Sequence, residues 1–309
     1  MYTKYTHTHT DTMKYIVSFT TSPTRIHKCR PMLNSILGQT RKPDLILLNI
    51  PKVFERTGET YDIPKFVEKS VVVNVVDKDY GPGTKLIPTV RYLIENGYDP
   101  NKTRIIYLDD DIYYMVKMIE TYEKVITDKD DNVWTATGFD FMNMQLNGKR
   151  KHKDQATIAE GYGSVCVKLS TFTVADDAGA DAAGADAADA AVVADAAEVT
   201  EADFFKYIDR YITDQDCRLS DDIILSNYYH KKNVGIFIVN IPNHHSIHDM
   251  WRHNNILEYG KQEDALHNGA NGTSFNNVDR YKKVITKLNK GKERHFKMLF
   301  IHNDAIVTR

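Results

Sequence analysis

Three consecutive carboxylates, Asp109, Asp110 and Asp111, follow the short apolar run Ile105-Ile106-Tyr107-Leu108. Like charges packed so closely repel unless a cation lies among them. A hard divalent ion, Mn²⁺ or Mg²⁺, takes carboxylate and phosphate oxygens together. The triplet therefore has the chemistry of a metal site that holds a phosphorylated ligand, although an acidic turn capping the next helix would need no ion. A second acidic pair, Asp221-Asp222, follows Ser220 and opens the helical stretch Ile223-Ile224-Leu225. Carboxylates there complement a helix dipole. One of them could equally act as general base toward an acceptor hydroxyl.

The segment Asp79-Tyr80-Gly81-Pro82-Gly83-Thr84-Lys85 adds a glycine-rich loop with a lysine at its end. Gly81 and Gly83 let backbone approach a ligand closely, and a helix capped by Thr84 would offer N–H groups to an anion. Asp79 could accept hydrogen bonds from a base or ribose. The spacing is not that of a Walker loop. Glu160-Gly161-Tyr162-Gly163-Ser164 reads as a close-approach loop beside a substrate. Histidines cluster at His244, His245, His248 and His253, without the HExxH spacing of a zincin. One of them, with His248 as the candidate, could complete a metal shell begun by the aspartates.

These residues must be positioned by strands and helices, and the hydrophobic pattern supplies both. Runs at 15–20, 44–50, 71–76, 105–108, 132–137 and 235–241 read as strands. Between them, Met32, Leu33, Ile36 and Leu37, and then Leu86, Ile87, Val90, Leu93 and Ile94, recur at helical spacing. Alternating strands and helices predict a mainly parallel central sheet flanked by helices, an α/β fold. The aspartate triplet then sits at the carboxyl end of a strand, where open α/β sheets bind ligands.

The 309-residue chain is 42 % hydrophobic and 27 % charged, the balance of an ordinary globular protein. Its net charge of −2 gives no reason to expect nucleic acid as a partner. No apolar run reaches membrane-spanning length, and residues 1–13 form a polar Thr/His/Tyr arm without the apolar core of a secretory signal. Cys29, Cys166 and Cys217 fit a reducing compartment. The expected location is the cytoplasm, or a host cell's cytoplasm if the gene is viral. Residues 174–199 are almost wholly Ala, Asp and Gly and read as a low-complexity insertion without a catalytic role. Residues 255–309 form a basic extension, in which Tyr281, Val284, Ile285 and Leu288 predict an amphipathic helix.

In order, SFTTSPTRI, ILGQTRKPDLILLNIP, DYGPGTKLIP, IIYLDDDIYY and DDIILSNYY resemble glycosyltransferases of the GT-A fold, including the inverting family-2-like enzymes. The likeness covers most of residues 14–250, interrupted by the insertion, and implies a glycosyltransferase domain over residues 14–254. It implies a Rossmann-like nucleotide-binding half, a UDP- or GDP-sugar donor, and a glycan, glycoprotein or small molecule as acceptor. Asp109 and Asp111 match the family's D-x-D pair. Asp111 would bind Mn²⁺ or Mg²⁺, and Asp109 the donor ribose or, through water, the metal. Asp110 lies between them and is counted with the donor, although its carboxylate could point away. Thr20, Thr21, Ser22, Arg25, Asp79, Gly83 and Lys85 would hold the nucleotide and its diphosphate. Asp222 matches the catalytic base, Asp221 would touch the acceptor, and Gly161, Tyr162 and Gly163 would line the acceptor side. The Gln/Arg-rich motif that often follows the base in that family is missing, which argues against a processive polysaccharide synthase. Two rivals are a nucleotidyltransferase that makes the nucleotide-sugar, and an inactive glycan- or partner-binding module. The first normally carries a Gly- and Arg-rich loop where this chain has TTSPTR.

Overall fold

A computed structural model describes residues 12–142, 145–147, 152–173, 203–241, 277–296, 299–302 and 305–308. The chain runs β1 (Lys14–Phe19), α1 (Arg30–Leu37), β2 (Leu45–Pro51), α2 (Lys65–Glu68), β3 (Val72–Val76), α3 (Ile87–Glu95) and β4 (Thr103–Tyr107). It continues through α4 (Met118–Val125), β5 (Val133–Thr135), β6 (Gly138–Met142), β7 (Gln145–Asn147), β8 (Ile158–Ala159) and β9 (Val165–Lys168). The later elements are α5 (Asp203–Ile212), α6 (Gln215–Arg218), α7 (Asp221–Lys231), β10 (Ile236–Ile238), α8 (Asn277–Lys290), β11 (Leu299–His302) and β12 (Ala305–Thr308).

Seven strands form the central sheet in the order β10-β5-β9-β4-β1-β2-β3. It is parallel except at β9, which runs antiparallel to both β4 and β5. The β3-β2-β1-β4 half has the strand order of a Rossmann-type nucleotide-binding fold. Strands β1 and β4 are buried on both faces, as inner parallel strands must be.

Alternation along these strands divides the core into two layers. Ile16, Leu47, Ile105 and Tyr107 join residues of α3, α5, α7 and α8 on one face. Tyr15, Val17, Leu48 and Ile106 join residues of α1, α2 and α4 on the other. A smaller sheet, β12-β11-β6-β7 with β8 beside β6, accompanies the main one.

All six strands expected from the sequence are present, mostly trimmed at their ends. The antiparallel β9 was not anticipated, because its four residues VCVK follow a glycine turn and are too few to declare a period. A second correction concerns Thr84. It lies inside a 3-10 turn, Gly81–Lys85, and α3 starts only at Ile87. Thr84 Oγ1 accepts the Tyr80 N–H at 3.0 Å, so it closes the turn and does not cap the helix.

The amphipathic helix foreseen in the basic extension is α8. Its Tyr281, Val284, Ile285 and Leu288 are buried in the same layer as the sheet, so it belongs to the core. Of the expected N-terminal arm, residues 1–11 lie outside the described residues, as does the Ala/Asp insertion. Met13, the last residue of that arm, is already buried. The three cysteines are buried and unpaired with one another. Among the described residues no helix is long and apolar enough to cross a membrane.

Candidate functional site

The chain leaves β1 for β2 and β3 on one side and returns to β4 on the other. That reversal opens a crevice beyond the carboxyl ends of β1 and β4. There an open cleft is lined by Thr20, Thr21, Ser22 and Arg25 after β1, by Asp79 and Lys85 after β3, and by Asp109, Asp110 and Asp111 after β4. Asp221 and Asp222 at the head of α7, and Tyr162 before β9, complete the walls. Five separate segments singled out in the sequence thus meet in one cavity.

The loop after β1 folds back as a tight turn, with Ser22 O accepting the N–H groups of Arg25 and Ile26 at 3.0 Å each. Arg25 is thereby brought onto the aspartates. Its guanidinium pairs with Asp110 and lies 3.4 Å from Asp111 Oδ2. Thr21 Oγ1 donates to Asp110 Oδ2 at 2.5 Å. Asp110 is therefore buried and locked into the β1 loop, where the sequence left its direction open. Asp111 keeps one oxygen, Oδ1, buried without a hydrogen-bond partner. Burial raises its carboxyl above the usual range; Arg25 opposes that effect and Asp109 adds to it.

Lys85 is the hub. Its ammonium is 2.7 Å from Asp109 Oδ1 and 3.1 Å from Asp221 Oδ2, with its side chain only 4 % exposed. Burial alone would depress an ammonium. Asp109, Asp221 and Asp222 together outweigh that penalty and hold Lys85 above its ordinary value. The 3-10 turn makes this possible by carrying Lys85 inward. Gly83 does not line the cleft. A Cβ there would lie 3.0 Å from Ile87 Cδ1 and 3.8 Å from Asp221 Cβ, so its role is to let the turn pack closely. Gly81, at φ +61, does line the cleft. Asp79 lines it too, but its carboxylate shapes the loop: Oδ1 accepts from Gly81 N–H at 2.7 Å and Oδ2 from Glu55 N–H at 2.9 Å, with Arg218 at 3.2 Å.

Ser220 stands at the N-cap of α7, yet its side chain makes no cap bond. Its Oγ instead accepts from Arg280 Nε at 3.2 Å. Asp222 Oδ1 accepts the Gly161 N–H at 2.9 Å. Burial, reinforced by Asp221, lifts the Asp222 carboxyl well above the ordinary range, against the pull of Lys85. Gly161 is required sterically: a Cβ there would overlap Lys85 Nζ and lie 2.9 Å from its Cε. Gly163 faces Thr137, away from the cleft, and Tyr162 O accepts from Tyr114 Oη at 2.9 Å. The turn ends at Ser164, whose φ of +87 is rare for a residue with a side chain. Tyr122 Oη, Thr135 Oγ1 and Ala136 N–H all reach Ser164 O, which holds that conformation.

The cleft contains functional groups that the sequence reading passed over. Glu160 lines it, with its carboxyl pushed up to about 7 by burial. Tyr162 Oη, 3.4 Å away, is its hydrogen-bond donor. Arg280 and Tyr281 arrive from α8, about sixty positions beyond the base helix, and only tertiary packing brings them in. Arg56, Phe54 and Tyr61 also line the cleft. The cluster His244, His245, His248 and His253 lies outside the described residues, and with it the proposed metal role of His248.

Among the described residues no group of three His, Cys, Asp or Glu side chains is arranged to hold a metal. Magnesium-type sites usually take one or two carboxylates and complete their shell with substrate phosphates and water. Asp111, with its buried and unpartnered Oδ1, and Asp109, one-third exposed beside it, fit that pattern. No protein-family model matches the chain, and no curated protein matches its sequence.

Proposed function

We propose that the protein is a metal-dependent glycosyltransferase of GT-A type. It would move a sugar from a nucleotide-diphosphate donor to an acceptor hydroxyl with inversion. The observation that carries this reading is the joining of two acidic clusters by one buried lysine: Lys85 touches both Asp109 and Asp221. The donor-side triplet and the base-side pair thus face one cavity at the switch point of a mostly parallel sheet. The order of that sheet and the placement of the β1, β3 and β4 loops are compatible with the resemblance noted in the sequence.

Each residue has a defined task. Thr20, Thr21 and Ser22 offer polar groups to the nucleotide. Arg25 and Lys85 place positive charge where the diphosphate would lie, and such preorganised charge favours a leaving group that gains negative charge. Asp111 and Asp109 would hold Mn²⁺ or Mg²⁺, which when bound supplies Lewis-acid neutralisation of the diphosphate. Asp222 takes the proton from the acceptor hydroxyl. The hydroxyl oxygen bonds to the anomeric carbon as the bond from that carbon to the phosphate oxygen breaks, and the electron pair leaves with the nucleoside diphosphate. Gly161 N–H holds Asp222 Oδ1 in place for this step, and the charge of Lys85 favours its ionised form. Burial raises the Asp222 pKa, and a higher pKa makes a carboxylate a stronger base. The direct test is release of nucleoside diphosphate from a panel of nucleotide-sugars with Mn²⁺, together with Asp222→Asn. Turnover in the native chain and none in the variant is the expected result. Equal turnover in both would remove Asp222 as the base.

A further inference from the structure

The helix α8 brings a tyrosine hydroxyl to the carboxylate assigned as base. Tyr281 Oη lies 3.4 Å from Asp222 Oδ2, on the opposite oxygen from the one held by Gly161 N–H. The ring is fixed independently of that contact. It is buried with Val284 and Ile285, and it stacks on Phe139 at 6.0 Å between centroids and an interplanar angle of 16°. The helix itself is tied down by Arg280 to Ser220, and by Lys287 to Asp214 and Asp216.

We propose that Tyr281 is a positioning residue for the base, donating its hydroxyl to Asp222 Oδ2 so that the carboxylate is aimed and ionised when an acceptor hydroxyl arrives. The consequence for turnover rests on the transferase reading above; the contact itself does not. The surroundings of Asp222 explain why a donor is needed. Asp221 stands beside it on α7 and Glu160 faces it from the turn before β9, and both disfavour its ionised form. Lys85 is the cation that opposes them, and Gly161 N–H satisfies only Oδ1. Arg280 stands next to Tyr281, while Tyr107 on β4 and Tyr229 on α7 also sense the acidic pair. Burial and then Asp222 keep the Tyr281 phenol protonated far above neutral pH, so it is a permanent donor. An ionised carboxylate accepts about four hydrogen bonds, so these two donors leave room for the acceptor's proton.

The test is Tyr281→Phe in the full chain, which deletes one oxygen and keeps the ring packing. Two readouts are followed. The first is the ¹³C-carboxyl titration of Asp222 in the unliganded protein, assigned with Asp222→Asn. The second is the pH profile of kcat. We expect Asp222 to titrate at higher pH in Tyr281→Phe and the acid limb of kcat to move upward with it. At neutral pH kcat should fall roughly tenfold, the scale of one hydrogen bond to a charged group, with donor KM unchanged. An unmoved titration overturns the proposal, even if kcat falls in step with the melting temperature, because a merely structural tyrosine would give that pattern. If the native chain transfers no sugar, the transferase reading fails, and the carboxyl titration still decides the contact.

Discussion

Lys85 Nζ stands 2.7 Å from Asp109 Oδ1, and through this contact the loop after β3 is bound to the loop after β4. The same ammonium reaches Asp221 on α7 at 3.1 Å. One buried cation therefore holds three elements together around the cleft. Removing one partner of a buried charge pair typically costs ~3–5 kcal/mol, because the other is left uncompensated. We expect Lys85→Met to lose stability on that scale in urea unfolding and to lose nucleotide affinity as well. A variant as stable as the native chain would show that the three carboxylates do not depend on this lysine.

Gly161 is expected to be intolerant of a methyl group. The added carbon in Gly161→Ala would overlap the Lys85 ammonium, which is confined by its ion pairs, and lie 3.3 Å from Asp222 Oδ1. Displacement of either group should lower kcat by more than tenfold, as misplaced catalytic groups do. Donor affinity and rate measured on the variant check this. Native kcat would mean that the turn can back away from Lys85 without cost.

Glu160 gives a stability prediction with a definite sign. Its carboxyl is raised from 4.5 to about 7 in the folded protein, chiefly by burial. The folded state thus prefers the protonated form. Below pH 4.5 both states are protonated and nothing is lost; as pH rises from 4.5 to about 7 the unfolded chain ionises first and stability declines. At about 1.4 kcal/mol per pH unit the full decline is on the order of 3 kcal/mol. Glu160→Gln should remove that decline, so urea midpoints of the native chain and variant should diverge across this window. Parallel curves would show that the Glu160 carboxyl does not carry the raised pKa.

The separation of binding from chemistry is tested by Asp222→Asn. The side chain keeps its shape and can still accept from Gly161 N–H, so nucleotide affinity should stay within about twofold. Turnover should fall by at least ~10²-fold, the ordinary contribution of a general base. Loss of nucleotide binding would instead mark Asp222 as part of the donor site.

Much of this site was legible in the sequence, and the reason is local. Asp109, Asp110 and Asp111 follow an apolar run that could only be a buried strand, and Asp221-Asp222 open a helix at a cap-like serine. Strand ends and helix starts are positions where sequence fixes location, so the topology could gather them. What was not legible depends on long-range packing. Tyr281 could be read as part of the apolar face of an amphipathic helix, but nothing local tells that this end of α8, with Arg280, meets the cleft. The direction of Asp110 depends on Arg25, eighty-five positions earlier, and on how the β1 turn folds back. Thr84 was misread for another reason: its hydroxyl had two possible local partners, and the 3-10 turn selected the Tyr80 N–H. Ser220 had the same ambiguity, resolved by Arg280.

The most direct test of the central claim is thermal unfolding of the full chain with UDP, GDP, CDP and dTDP, each with and without Mn²⁺. A ligand that binds only the folded state must raise the melting temperature, by an amount set by its concentration over Kd. The account predicts a rise with one nucleotide that requires Mn²⁺ and disappears in Asp111→Ala. No rise with any of the four, or a rise that Asp111→Ala leaves intact, would contradict it.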